Sequence, residues 1–235
     1  MYSNYLSLKN KNRHLSKIAF IAGMGGIYIA FIVLVAACFF IKAERFEVQK
    51  TFYLLAVPIK EQSVSVSVQD VYTGGGAGYA LNHGGKCYVV LSAYPTQAEA
   101  KTVQNLPQNK QKDMQIVALQ VNTLYFNTKS ERAVKESIQR GVRTLLNCID
   151  ILYQTANAID TAQYTQRQAQ GILREVHRTV SALQKDAPWQ IGELLLQAGQ
   201  KCMQTLQGII YAKDVRYLQI HLCEGIYSLQ NVFSL

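Results

Sequence analysis

The sequence has few charged residues and few cysteines, and each shortage excludes a class of protein. Only 17% of the residues are charged whereas 49% are hydrophobic, which excludes a disordered polypeptide. Five cysteines in 235 residues are too few for a small fold held together by disulfides, and an odd number leaves at least one thiol unpaired within the chain. A chain of this length can bury one large core or two ordinary ones.

No charged residue occurs between Lys17 and Lys42. As a helix, the intervening apolar segment 18–41 would span about 36 Å, enough to cross a hydrocarbon layer of ~30 Å with some tilt. The segment lacks the polar face that a helix on a soluble core would show. The sequence therefore predicts one transmembrane helix at 18–41.

The tail 1–17, before this span, carries four basic residues and no acidic residue. The linker 42–50, after the span, contains both basic and acidic residues. The positive-inside rule places the tail in the cytoplasm and the rest of the chain outside the cell membrane. The apolar region is longer than that of a cleaved signal peptide. Val35–Cys38 resembles a lipobox, which would make Cys38 a lipidated N-terminus, but the apolar run continues to Ile41. We prefer an uncleaved single-pass anchor.

Constellations for nucleic-acid binding, catalysis or metal binding are also missing. Nearly half of the net charge of +9 lies in the tail 1–17, and no basic cluster with interleaved aromatics follows, so no nucleic-acid partner is expected. His177 and His221 lack a second ligand at i+4, and the glycines of 74–78 lack the lysine of a phosphate loop. We therefore expect a protein that is not an enzyme, with no catalytic residue, metal ion or cofactor.

The segment 51–126 alternates short strands with helices. The hairpin turn at 82–85 and the helix start at Thr96, where Glu99 completes a capping pattern, are the clearest signals. The segment 63–72 fits a strand by propensity and a helix by topology. The predicted elements are strands at 51–58, 77–81, 86–93 and 114–121 and helices at 63–72 and 97–106.

This βαββαβ order predicts an α+β fold of the split-βαβ, ferredoxin-like or RNP-like type, with both helices on one sheet face and the other face open. Strand periodicity turns Val89 toward the helices and assigns five residues to the open face, namely Tyr88, Val90, Ser92, Gln120 and Asn122. These are the candidate ligand-binding residues, and the alternative is that they are merely solvated strand residues.

The segment 87–106 resembles the second half of a SPOR domain. Tyr94 stands at the aromatic position that ends the family's strand, Ala98 and Ala100 at its alanines, and Val103 and Leu106 at its aliphatic positions. Ser92 replaces the expected glycine. The resemblance implies binding of peptidoglycan glycan strands stripped of stem peptides, through the open sheet face, by single-pass membrane proteins of cell division or sporulation.

The segment 127–235 shows helical periodicity, with apolar stripes at 134–152, 172–183, 189–209 and 215–233. Four such helices predict an antiparallel bundle as a separate domain. Cys148, Cys202 and Cys223 fall on or beside the stripes and fit as small core residues, although a Cys202–Cys223 disulfide is an alternative outside the membrane.

The leading hypothesis is therefore a non-enzymatic, membrane-anchored, extracytoplasmic peptidoglycan-binding protein of a bacterial envelope. A second hypothesis is an envelope scaffold whose helical bundle recruits a protein partner without glycan binding. A third is a wall hydrolase whose catalytic residues the sequence does not reveal.

Membrane topology gives the first prediction. An alkaline phosphatase fused after Leu235 should be active, because that enzyme functions only outside the cytoplasm and the charge distribution places this end there. Activity of whole cells on a chromogenic substrate measures the result. A stable fusion without activity would reverse the predicted orientation.

Overall fold

The computed structural model describes residues 43–60, 63–109, 113–127, 132–185 and 189–230. The predicted anchor 18–41, with Cys38, lies outside these ranges. Within them, no helix is both long enough and apolar enough to span a bilayer.

The chain is a mixed α+β fold with four strands and six helices among the described residues. In chain order the elements are β1 (Ala43–Ile59), α1 (Val64–Thr73), β2 (Tyr79–His83), β3 (Lys86–Tyr94), α2 (Gln97–Gln104), β4 (Gln115–Asn127), α3 (Arg132–Asp160), α4 (Gln166–Gln184), α5 (Trp189–Thr205) and α6 (Ala212–Leu229).

The strands form one antiparallel sheet in the order β2-β3-β1-β4. Both neighbours of β3, namely β1 and β2, run antiparallel to it and are therefore parallel to each other. A connection between parallel strands needs a crossover, which is usually a helix. This topological requirement explains why 64–73 is helical although its valines favour a strand.

Local signals set the ends of the elements. Gly84 and Gly85 form the two-residue loop between β2 and β3, and both have positive φ angles, of 57° and 73°. A hairpin turn of this kind needs residues that adopt such angles without strain. The Thr96 hydroxyl accepts a hydrogen bond from the Glu99 amide and starts α2, as the capping pattern predicts.

Helix α6 packs on the sheet. It contacts β2 and β3 on one side and α3 and α5 on the other. It is therefore apolar over most of its circumference, with nine buried residues: Ala212, Val215, Leu218, Gln219, Ile220, Leu222, Cys223, Ile226 and Leu229. The described residues of Glu44–Phe126 and Ser130–Leu235 belong to one compact unit, and a single core cluster contains residues of both the sheet and the helices.

The prediction that Tyr88 and Val90 face solvent is therefore wrong. Tyr88 is 7% exposed and Val90 is fully buried, and both belong to the core cluster that contains Leu218 and Leu222 of α6. An apolar face of a sheet must be covered, and the helices that were expected to form a separate bundle provide the cover.

A β-bulge moves Ser92 away from the face predicted for it. Leu55 of β1 pairs with Ser92 while the next residue, Ala56, pairs with Val90, so β3 contains one residue more than β1 at this point. An extra residue shifts the alternation of faces. Ala93, and not Ser92, joins the core shared with the helices, and Ser92 is 7% exposed.

Gln120 and Asn122 are exposed on β4 as expected. Their side-chain amides bond to each other, with Gln120 Nε2 donating to Asn122 Oδ1 at 2.9 Å. The backbone carbonyl of Gln120 accepts a bond from Gln230, which follows α6, at 2.9 Å. The last strand is thus tied to the end of α6.

Cys148, Cys202 and Cys223 are free thiols, so the alternative of a Cys202–Cys223 disulfide is not observed. Burial raises the pKa of Cys148 to about 11 and that of Cys202 to about 12. Burial also raises the pKa of Cys223. These three thiols therefore remain protonated at neutral pH and act as small core residues.

A polar cluster at the α6–sheet interface combines Tyr79 with two residues of α6. The Tyr79 hydroxyl donates to the Glu224 carboxylate and lies 3.4 Å from His221 Nδ1. His221 Nε2 is buried and has no hydrogen-bond partner among the described residues. The His221 pKa lies below its ordinary value because desolvation and the Lys201 charge outweigh the opposing effect of Glu224.

Because its side chain is buried, Tyr88 should contribute strongly to the stability of the fold. Replacing it by alanine removes a buried ring and should destabilise the chain by about 3 kcal/mol, lowering Tm by roughly 6–12 °C. Tyr88→Phe is the control and should stay close to wild type because the ring remains. Thermal unfolding followed by circular dichroism measures both. A wild-type Tm for Tyr88→Ala would contradict the covered sheet face.

His221 should make the fold less stable in acid. Its folded pKa lies below the unfolded value of about 6.5, so the unfolded chain binds more protons and stability falls as the pH drops below about 6.5. Urea unfolding at pH 7.5 and at pH 5.5 should show a smaller loss in His221→Asn than in wild type. His177→Asn on α4 is the control, and an equal loss in all three chains would exclude His221 as the cause.

Candidate functional site

A cleft of about 520 Å³ opens between α2 and α3. It collects side chains from a strand end and three helices, and we call it the tyrosine cleft. Its lining residues are Tyr94, Ala98, Glu99, Thr102, Val103, Tyr153, Asn157, Asp160, Thr161 and Arg216.

Two tyrosines give the cleft its aromatic surface. Tyr94 is the last residue of β3, and its ring meets the Tyr153 ring of α3 edge to face, with 6.1 Å between the ring centres. The Ser92 hydroxyl donates to the Tyr94 oxygen at 2.7 Å. Ser92, one of the predicted site residues, thus bonds to Tyr94 but does not itself line the cleft.

Both phenols are neutral at physiological pH. Burial raises the pKa of Tyr94 and of Tyr153 above the ordinary value. Asn157 lowers the pKa of Tyr153 and Glu99 raises it, and the effect of burial is larger than either. Each phenol can therefore both donate and accept a hydrogen bond.

The charged groups of the cleft lie on three helices. Glu99, in the first turn of α2, accepts a bond from the Thr96 hydroxyl at 2.8 Å. Asp160, at the end of α3, forms an ion pair with Arg216 of α6. The Arg216 side chain is only 16% exposed. It is therefore packed among its neighbours and forms a buried part of the cleft wall. Two carboxylates against one guanidinium make the cleft slightly negative.

This composition suits a neutral saccharide. Aromatic rings pack against the C–H faces of sugars, while carboxylates, amides and guanidinium groups bond to sugar hydroxyls. A volume of 520 Å³ lies within the range of small-molecule sites. The three polar residues on α3, at 153, 157 and 160, are spaced i, i+4 and i+7, so one helix face presents them together.

The five predicted site residues are not brought together. Tyr88, Val90 and Ser92 are buried, whereas Gln120 and Asn122 are exposed on β4. The sequence analysis missed Tyr153, Asn157, Asp160 and Arg216. The polar i, i+4, i+7 spacing on α3 was a visible signal. The role of Arg216 was not visible, because it depends on where α6 packs.

Other chemistry is not indicated within the described ranges. No group of three His, Cys, Asp or Glu side chains there could hold a metal ion.

Comparisons with protein-family models, with curated proteins and with solved structures find no match to this chain. The SPOR resemblance therefore remains a prediction from residues 87–106.

Proposed function

We propose that this protein is a membrane-anchored, extracytoplasmic component of a bacterial envelope that binds peptidoglycan glycan strands in the tyrosine cleft and does not cleave them. The observation that carries the proposal is the cleft itself, in which Tyr94 and Tyr153 stand beside Glu99, Asn157 and Arg216. The charge-based topology and the SPOR resemblance support the envelope location and a role in cell division or sporulation.

The binding mode differs from that implied by the resemblance. SPOR domains bind glycans on an open sheet face, but here α6 packs on β2 and β3 and Tyr88 and Val90 are buried under it. A sugar could reach that face only if α6 left the core. Displacing its buried leucines and isoleucines would cost about 1.5–3 kcal/mol for each side chain. The cleft needs no such rearrangement.

A scaffold function is the second candidate. Three large apolar side chains, Met203, Ile209 and Tyr211, are about half exposed or more near the α5–α6 connection. Exposed apolar patches often mark protein interfaces. On this alternative the helices recruit a protein partner and the tyrosine cleft stays empty of glycan.

Cosedimentation with purified sacculi tests the proposal. The full chain in detergent micelles should pellet with sacculi, more strongly after an amidase has removed the stem peptides. Tyr153→Ala should weaken binding about fivefold, because losing one packed aromatic ring costs roughly 1 kcal/mol. Asn157→Ala should weaken it as well, through a lost hydrogen bond of similar magnitude.

Tyr164→Ala is the matched control, since Tyr164 is a partly exposed tyrosine outside the cleft. It should bind sacculi like wild type, and circular dichroism should show that all variants remain folded. A zymogram of the wild-type chain should show no clearing. If the folded chain does not pellet with either form of sacculi, glycan binding is excluded and the scaffold function is favoured.

A further inference from the structure

A second cavity, of about 290 Å³, adjoins the N-terminal half of α6 on the side away from Arg216. Its walls come from the end of α1, from α5, from the α5–α6 connection and from α6. We call it the lysine groove, and the residues that matter for the argument are Tyr72, Lys201, Gln204, Ile209, Asp214 and Tyr217.

The groove and the tyrosine cleft lie on opposite sides of one helix. Asp214 and Tyr217 line the groove while Arg216 lines the cleft. Residues two positions apart on a helix point about 200° apart, and residues three apart share a face. The sequence order Asp214, Arg216, Tyr217 therefore separates the two sites around α6.

The groove attracts anions. The Lys201 ammonium lies 5.4 Å from the centre of the Tyr217 ring, and no carboxylate of the described chain is within ion-pair distance of it. Lys213 stands beside the groove, with its ammonium 3.8 Å from the centre of the Tyr72 ring and 3.2 Å from the Tyr72 carbonyl oxygen. Lys201 and Asp214 are the two charged residues that line the groove, and the Lys213 ammonium lies beside it.

The Asp214 carboxylate is already engaged. One oxygen accepts a hydrogen bond from the Tyr72 hydroxyl at 2.8 Å, and the other accepts from the Tyr211 amide at 3.2 Å. It therefore stabilises the groove wall and the start of α6 and leaves Lys201 unneutralised. In the tyrosine cleft the balance is reversed, because Glu99 and Asp160 outnumber Arg216.

The rings around the groove favour a saccharide over a simple ion. Tyr72 and Tyr217 line it, and Tyr211 is half exposed next to Lys213, whose ammonium lies 5.5 Å from the Tyr211 ring centre. Ile209, which is 64% exposed, adds a small apolar surface. Aromatic rings bind the C–H faces of sugars, and an isolated ammonium binds a carboxylate.

We infer that the lysine groove binds an acidic saccharide, with its carboxylate on Lys201 and its sugar ring against the tyrosines. The chemistry matches a sugar that carries an ether-linked lactic acid, whose methyl group would contact Ile209. Removing the stem peptide from a wall glycan exposes this carboxylate, so the inference rests on the proposed function.

Isothermal titration of the full chain in detergent micelles tests the inference with three probes. N-acetylmuramic acid, which carries the lactyl carboxylate, should bind through Lys201, whereas any binding of N-acetylglucosamine, which lacks it, should be the same in Lys201→Gln as in wild type. Alanyl-alanine presents a carboxylate on a peptide and should not bind. Added salt should weaken binding of N-acetylmuramic acid because the contact is ionic.

Variants separate the two sites. Lys201→Gln should weaken binding of N-acetylmuramic acid about tenfold, and Lys201→Arg should restore most of it. Lys185→Gln, which removes an exposed lysine after α4, is the charge-matched control and should bind like wild type. Tyr164→Ala, which lies outside both sites, should leave this affinity unchanged, so a loss confined to Lys201→Gln assigns the binding to the groove.

The failure of each proposal has its own signature. No binding of N-acetylmuramic acid, or unaffected binding of it in Lys201→Gln, would overturn the groove assignment even if sacculi are bound through Tyr153. Tighter binding of alanyl-alanine would assign the groove to peptides and overturn it too. Binding of N-acetylmuramic acid through Lys201 without any binding to sacculi would uphold the groove and reject the proposed function.

Discussion

The contact between α6 and the sheet requires that this helix be apolar on more than one side. Its buried residues include Leu218, Ile220, Leu222 and Ile226, which cannot all lie on one stripe because successive residues are about 100° apart. A helix of this kind must be enclosed, and the sheet on one side and α3 and α5 on the other enclose it. Each large aliphatic side chain so buried contributes about 1.5–3 kcal/mol, a sizeable part of the 5–15 kcal/mol by which a domain is stable.

Polar groups make this packing specific. The buried Gln219 amide of α6 donates to the Ala93 carbonyl of β3 at 3.3 Å, while Glu224 accepts from the Tyr79 hydroxyl. At the start of the helix, Asp214 accepts from Tyr72 of α1. Apolar burial alone would allow α6 to slide or rotate on the sheet. These three contacts each need one position along the helix, because an unmatched buried polar group costs about 1–3 kcal/mol.

The sequence predicted most elements because their signals are local, but it assigned 43–50 to a linker although β1 begins at Ala43. Hydrophobic periodicity, the Thr96 cap and the Gly84-Gly85 turn depend on neighbouring residues and need no tertiary partner. The face assignment failed because it needs such a partner. Residues 88–91 are Tyr-Val-Val-Leu, and a continuous apolar run is typical of a strand covered on both faces. The bulge at Leu55 and Ala56 was not predictable, since it arises where two distant strands meet.

Both proposed sites also depend on how the helices pack on the sheet. The tyrosine cleft takes Tyr94 from β3, Tyr153 from α3 and Arg216 from α6, residues that only the docking of helices on the sheet brings together. The lysine groove likewise needs α1 and α5 to meet the opposite side of α6. Since one helix carries Arg216 toward the cleft and Asp214 into the groove, its packing on the sheet determines one charged residue of each site.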